Sequence, residues 1–185
     1  MDSVVKASVF LVETLFSIYI ILLILRFLLQ WQRAGFRDAP SHFIWQITHP
    51  PLKLLYNFVP LRHDIDIAAL ILMFTLTLVK LILTSLLLHY HLPNIFMLLL
   101  LTFVNLLYLA LYFFSFSILI GAIASWVIPP DSYNPLTHFL YRINEPLLRP
   151  VRRLLAQSEV LRQAPIDLSP LVVLLALQVM IILLS

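Results

Sequence analysis

Apolar residues dominate four stretches of the chain, roughly residues 4–31, 67–89, 94–127 and 168–184, and polar residues gather between them. The hydrocarbon layer of a bilayer is about 30 Å thick, and a helix rising about 1.5 Å per residue needs about 20 residues to cross it. The first and third stretches exceed that length, so they are expected to tilt or to run on into the interface. The last is the shortest and barely reaches across. Hydrocarbon holds no water to bond exposed amides, so each stretch has to satisfy its backbone internally, which selects helix. The pattern predicts an all-α, polytopic membrane protein with four transmembrane helices. The opening stretch reads as a span and not as a cleaved signal, because its apolar run is too long and no small-x-small cleavage pattern follows it.

A second pattern lies between the spans. Residues 41–50 read SHFIWQITHP and residues 137–146 read THFLYRINEP. His42-Phe43 answers His138-Phe139, Trp45 answers Tyr141, and Pro50 answers Pro146. Farther out, Trp31 answers Trp126, Pro40 answers Pro135, and Ile65-Asp66 answers Ile166-Asp167. Each copy is a span, an amphipathic loop and a span. The expected architecture is two parallel repeats of a helix–amphipathic loop–helix hairpin, residues 1–91 and 94–185, related by an axis along the membrane normal.

The loops have helical periodicity of their own. Asn134 suits a helix cap with Pro135 in the first position, and Leu136, Phe139, Leu140 and Ile143 then share one face. After Pro146, residues Leu147, Leu148, Val151, Leu154 and Leu155 are expected on an apolar arc. Arg149, Arg152 and Arg153 fall opposite, as on an interfacial helix whose basic side meets headgroups. The first copy repeats the apolar logic with Phe43, Ile44 and Ile47 but has only Lys53 in place of the basic cluster.

Composition sharpens this picture. The chain is 62% hydrophobic and 11% charged, against about 45–50% apolar and about 25% charged residues in soluble domains. It has only 2 glycines, which removes Gly-rich phosphate loops, and no cysteine, which removes disulfides, thiolate zinc sites and Cys nucleophiles. The net charge of +3 comes from basic residues concentrated in the two long loops. One loop carries Arg33, Arg37, Lys53 and Arg62, the other Arg142, Arg149, Arg152, Arg153 and Arg162, while the short link HYHLPN has neither Lys nor Arg. The positive-inside rule puts both loops in the cytoplasm and both termini outside. The basic excess is thereby read as orientation and not as nucleic-acid binding. Trp31, Trp45 and Trp126 fall at or just beyond the cytoplasmic helix ends, where amphipathic rings are favoured.

Several residues are candidates for function. Arg149, Arg152, Arg153 and Asp167 are candidates for contact with anionic lipid headgroups or with a partner. Asp66 and Asp167 precede their helices and suit the N-terminal dipole, with an ion pair from Arg152 or Arg153 to Asp167 as the alternative. Glu13 and Lys80 stand inside spans, about 27 Å and about 20 Å above the cytoplasmic helix ends at the usual rise. They are expected to pair, in a structural role or an ion-handling one, because a lone Lys near the bilayer centre costs about 3 kcal/mol. Arg26, near a helix end, is expected to snorkel. Ser117, Gly121 and Ser125 form a small-residue stripe suited to helix packing. His89 and His91 lack the spacing and partners of a metal site. No Ser-His-Asp set, phosphate loop or carboxylate pair is evident, so no reaction, cofactor or metal is expected.

The chain resembles the YggT family, also called YlmG, over both repeats. The resemblance is carried by LRFLLQW (25–31), ITHPPLK (47–53), DIDIAA (64–69), ASW (124–126), YNP (133–135), EPLLRPVRRLL (145–155) and IDLSP (166–170). The first repeat departs from it at Tyr56-Asn57, where the family commonly has twin arginines. The resemblance implies a bacterial inner-membrane protein linked to osmotic or cation homeostasis or to cell division. The function expected is that of a non-enzymatic membrane adaptor, with membrane lipids and a membrane-protein partner or a second copy as its contacts. A cation channel or transport subunit acting as an oligomer is the alternative.

Overall fold

The long apolar stretches fold as helices, and so do the amphipathic segments between them. The computed structural model describes residues 3–32, 38–57, 66–127, 134–157 and 167–184, the side chain of Trp126 excepted. Arg33, Arg37, Arg62, Arg162, Ile65 and Ile166 lie outside the described residues, as does the tip of each long loop. The described residues form six helices and no strand: α1 (Ser3–Trp31), α2 (Ala39–Tyr56), α3 (Ile67–Leu87), α4 (Ile95–Val127), α5 (Pro135–Leu155) and α6 (Ser169–Leu184). Helices α1, α3 and α4 are long and apolar enough to cross a membrane. Helix α6 is equally apolar but has 16 residues, about 24 Å at the usual rise.

Two compact units divide the chain, Met1–Ala110 and Leu111–Ser185, with the division inside α4. In the first, α1 packs along α3, and α2 lies against both. Ile20, Leu23, Leu29, Leu52 and Ala69 are fully shielded there. Hydroxyls inside this apolar packing turn back onto their own helix, as Thr77 does to Met73 O at 2.8 Å. In the second unit α5 packs on α6, and α6 has Val173, Leu177 and Ile181 buried at helical spacing.

Helix ends follow local chemistry. Asn134 Oδ1 accepts from Leu136 N at 2.9 Å, and Pro135 opens α5 where its missing N–H has no bond to lose. Helix α3 ends in a Schellman turn, with Tyr90 N donating to Ser85 O at 3.0 Å and His89 N to Leu86 O at 3.2 Å. His89 holds the left-handed position of that turn, at φ 57°. Pro50 and Pro51 lie inside α2, and Pro146 and Pro150 inside α5, yet both helices continue through them. A proline leaves the carbonyl four residues back without its usual donor. The carbonyl that Pro51 frees is that of Ile47, and Tyr19 Oη of α1 donates to it at 3.5 Å.

The face of α5 differs from the expected one. Arg152 is not opposite the packed side with Arg149 and Arg153. It continues the buried line of Asn144 and Leu148 and lines the same cavity as they do. At 3.6 residues per turn, four residues bring a side chain back to within about 40° of its starting direction. Leu154, expected on the apolar arc, is 65% exposed.

Candidate functional site

In the first unit α1, α2 and the start of α3 converge on Asp66. Its Oδ1 accepts from Ala69 N at 3.0 Å, capping α3, where a carboxylate meets the positive end of the helix. Its Oδ2 accepts from Tyr56 Oη of α2 at 2.6 Å. Arg26 reaches the same carboxylate from α1, with Nε 3.7 Å from Oδ2. The guanidinium also donates from Nη2 to Tyr56 Oη and from Nη1 to Thr48 Oγ1, both at 3.1 Å. Thr48 Oγ1 in turn donates to Ile44 O at 2.6 Å.

The expectation that Arg26 snorkels is corrected by this geometry. The side chain is 4% exposed and turned inward. The reason is electrostatic: a buried carboxylate stands at its own level on a neighbouring helix, and meeting it within hydrogen-bonding surroundings serves both charges. Burial, and then the hydrogen bond to Asp66, push the Tyr56 phenol up to about 12, against the pull of Arg26. Tyr56 therefore stays a neutral donor throughout the ordinary pH range.

A similar arrangement holds α5 to α6 in the second unit. Asp167 Oδ1 accepts from Ser169 N at 2.9 Å at the start of α6, and Oδ2 accepts from Arg152 Nε of α5 at 2.9 Å. Arg152 Nη1 also donates to Glu145 Oε2 at 3.0 Å, about two turns back along α5. Burial acts to raise the Asp167 pKa, but hydrogen bonds from the Ser169 hydroxyl and amide and from Arg152 outweigh it and hold it below its ordinary value. Capping and ion pairing, weighed as alternatives for Asp167, are both made, one through each oxygen. Deeper in this unit Ser117 Oγ of α4 donates to the buried Asn144 Oδ1 of α5 at 2.9 Å.

The other candidates fall elsewhere. Arg149 and Arg153 are exposed on α5 and join neither aspartate, and Lys53 is exposed on α2. Glu13 is exposed on α1 and Lys80 is buried on α3. Glu13 is near enough to act on Lys80 through its charge, but no direct ion pair joins them as one joins Arg152 to Asp167. The sequence reading missed Arg26, Tyr56 and Thr48 as a group. The signal was present: opposite charges at matching levels of two spans joined by one loop, with the phenol in a place where the resemblance leads one to expect arginine.

Long apolar helices, with amphipathic helices fastened to their ends by aspartate-centred bonds, are the build of a helical membrane protein. The chain belongs to the CCB3/YggT family, whose model matches residues 5–87 and 100–185. It is 37% identical to an uncharacterized protein of Pseudomonas aeruginosa, over 93% of this chain and 85% of that one. The uncharacterized protein YggT of Escherichia coli K12 is 31% identical, over 92% of this chain and 85% of its own length. An uncharacterized Haemophilus influenzae protein is 32% identical, over 90% and 84%. No solved structure matches the chain.

Proposed function

We propose that the chain is a non-enzymatic adaptor of the bacterial inner membrane, presenting a basic amphipathic helix at the cytoplasmic surface to anionic lipids and to a membrane-protein partner or second copy. One observation carries this reading. Arg152 bonds to Asp167 and Glu145, which ties α5 to the start of α6, while Arg149 and Arg153 stay exposed near the same end of the helix. A fastened helix holds its outward charges in one place, which suits recognition more than it suits a turnover cycle. Each exposed Arg near an anionic leaflet contributes about 1 kcal/mol.

The membrane scheme that goes with it has four spans, α6 being the short fourth, in two parallel repeats with both termini outside. Two features support the repeat. Asp66 and Asp167 each give Oδ1 to a helix start and Oδ2 to a side chain of the preceding amphipathic helix. The two stretches matched to the family begin with the same offset that separates Trp31 from Trp126. A role in osmotic or cation homeostasis or in cell division belongs to the same proposal. The competing cation-conduit reading draws on Lys80, buried within a span and acted on by the charge of Glu13.

Reporter tags inserted after Gln157 and fused at Ser185 test the topology, the first expected in the cytosol and the second outside it. Photo-crosslinkers at Arg149 and Arg153 in living cells, paired with ion flux in liposomes, test the role. A discrete membrane-protein adduct without flux is the expected result. Flux that Glu13→Ala abolishes would replace the adaptor with the conduit.

A further inference from the structure

A cavity of about 380 Å³ lies in the second unit between the C-terminal half of α4, α5 and the start of α6. Ile118, Leu148 and Leu171 line its apolar part, and its polar lining includes Ser125, Asn144, Arg152 and Asp167. Leu171 is 57% exposed, so this wall reaches the outer surface of the helices. In the repeat register that pairs Trp31 with Trp126, Gly121 stands where α1 has Arg26. A Cβ on Gly121 would meet only Asn144 Nδ2, at 3.4 Å. The first unit sends a long side chain from that point to its aspartate. The second supplies the guanidinium from α5 instead and leaves the space beside α4 open.

We propose that this cavity seats one acyl chain of a membrane phospholipid, with the phosphodiester at the Arg152 end. Its chemistry matches a lipid, apolar over most of the wall and charged in one part. Among the described residues Arg152 gives two bonds, to Glu145 and Asp167, out of the five N–H groups an arginine has to donate. The exposed Arg149 and Arg153 flank it on α5 and turn the local charge balance positive. The inference rests on the membrane placement proposed above and not on the adaptor role.

The test uses the full chain reconstituted in phosphatidylethanolamine–phosphatidylglycerol vesicles that contain a phosphatidylglycerol with a photoactivatable acyl chain. After irradiation, label is expected to be several-fold denser on Ile118, Leu148 and Leu171 than on Leu183, which is 79% exposed on α6. Gly121→Leu, which extends a side chain into the cavity, is expected to cut the cavity label several-fold and leave Leu183 unchanged, whereas Gly121→Ala retains it. Leu171→Trp narrows the exposed wall and provides a second occluding variant in case Gly121→Leu misfolds. A diacylglycerol with the same photoactivatable chain is expected to label the cavity several-fold less, because it lacks the phosphate. Equal labelling of Leu183 and the cavity, label that survives both occluding variants, or equal labelling by the diacylglycerol would overturn the proposal. So would a disulfide between two copies of a Gly121→Cys variant, which would put a second copy there. A chain that fails to float with the vesicles would instead refute the membrane placement.

Discussion

Replacing Arg26 by methionine keeps a long, flexible apolar side chain at its point on α1 and removes only the guanidinium. The Asp66 side chain it leaves behind is 0% exposed. Removing one member of a buried ion pair typically costs about 3–5 kcal/mol, because the other charge stays buried without its counterion. The orphaned carboxylate keeps its bonds from Tyr56 and Ala69, which hold the loss toward the lower end of that range. The loss expected for Arg26→Met is therefore about 3–4 kcal/mol at pH 7. Reversible unfolding in mixed micelles at pH 7, followed by tryptophan fluorescence, measures it. Adding Asp66→Asn removes the buried charge and should recover part of the loss, giving a coupling of about 1–3 kcal/mol between the two positions. A loss under about 1 kcal/mol at pH 7, or no recovery when Asp66→Asn is added, would refute the reasoning.

The remaining predictions concern groups on the page in the same way. Asp167→Asn is expected to cost under about 1 kcal/mol, because the Arg152–Asp167 pair is solvent-accessible and screened, and micelle unfolding checks it. Because the folded pKa of Asp167 is depressed, its contribution is present above the unfolded pKa and disappears as pH falls through the folded one. An acid titration should therefore show a difference between wild type and Asp167→Asn that vanishes at the acid end. Tyr56 has the opposite sign: its pKa is raised to about 12, so its contribution is whole below the ordinary tyrosine value of about 10 and is lost as pH rises through about 12. Tyr56→Phe should abolish that alkaline loss in the same assay. His89→Gly should raise stability by about 1 kcal/mol, since a residue with a Cβ is strained at that left-handed turn position. Asn134→Ala should lower it by about 1 kcal/mol through loss of the cap on α5.

The helices were legible because their causes are local. An apolar stretch of span length has one way to satisfy its amides, and α1, α3 and α4 lie within a residue or two of the stretches that predict them. The start of α5 was legible for the same reason, since Asn134 and Pro135 act on the backbone beside them. The expectation that Arg26 snorkels rests on its place near a helix end, and its partners are not visible along α1. Its partners Thr48, Tyr56 and Asp66 arrive from two other helices. Counting the apolar arc only from Pro146 onward puts Arg152 with its basic neighbours, opposite the packed side of α5. The helix in fact runs through Pro146 and carries the face of Asn144 onward.

By itself, then, the sequence determined which segments become helices, where α3 and α5 are capped, and that the long helices belong in hydrocarbon, all of which follow from interactions within a few residues. It also carried a repeated order of residues that points to a shared plan. Only the tertiary structure decided which cation meets each aspartate: Arg26 from α1 in one unit, Arg152 from α5 in the other. That choice turns on distances of a few ångströms between groups far apart along the chain, and such distances are set by how helices pack, which no periodicity encodes. The same packing made a cavity beside Gly121, where the letters alone show only a small residue in a stripe.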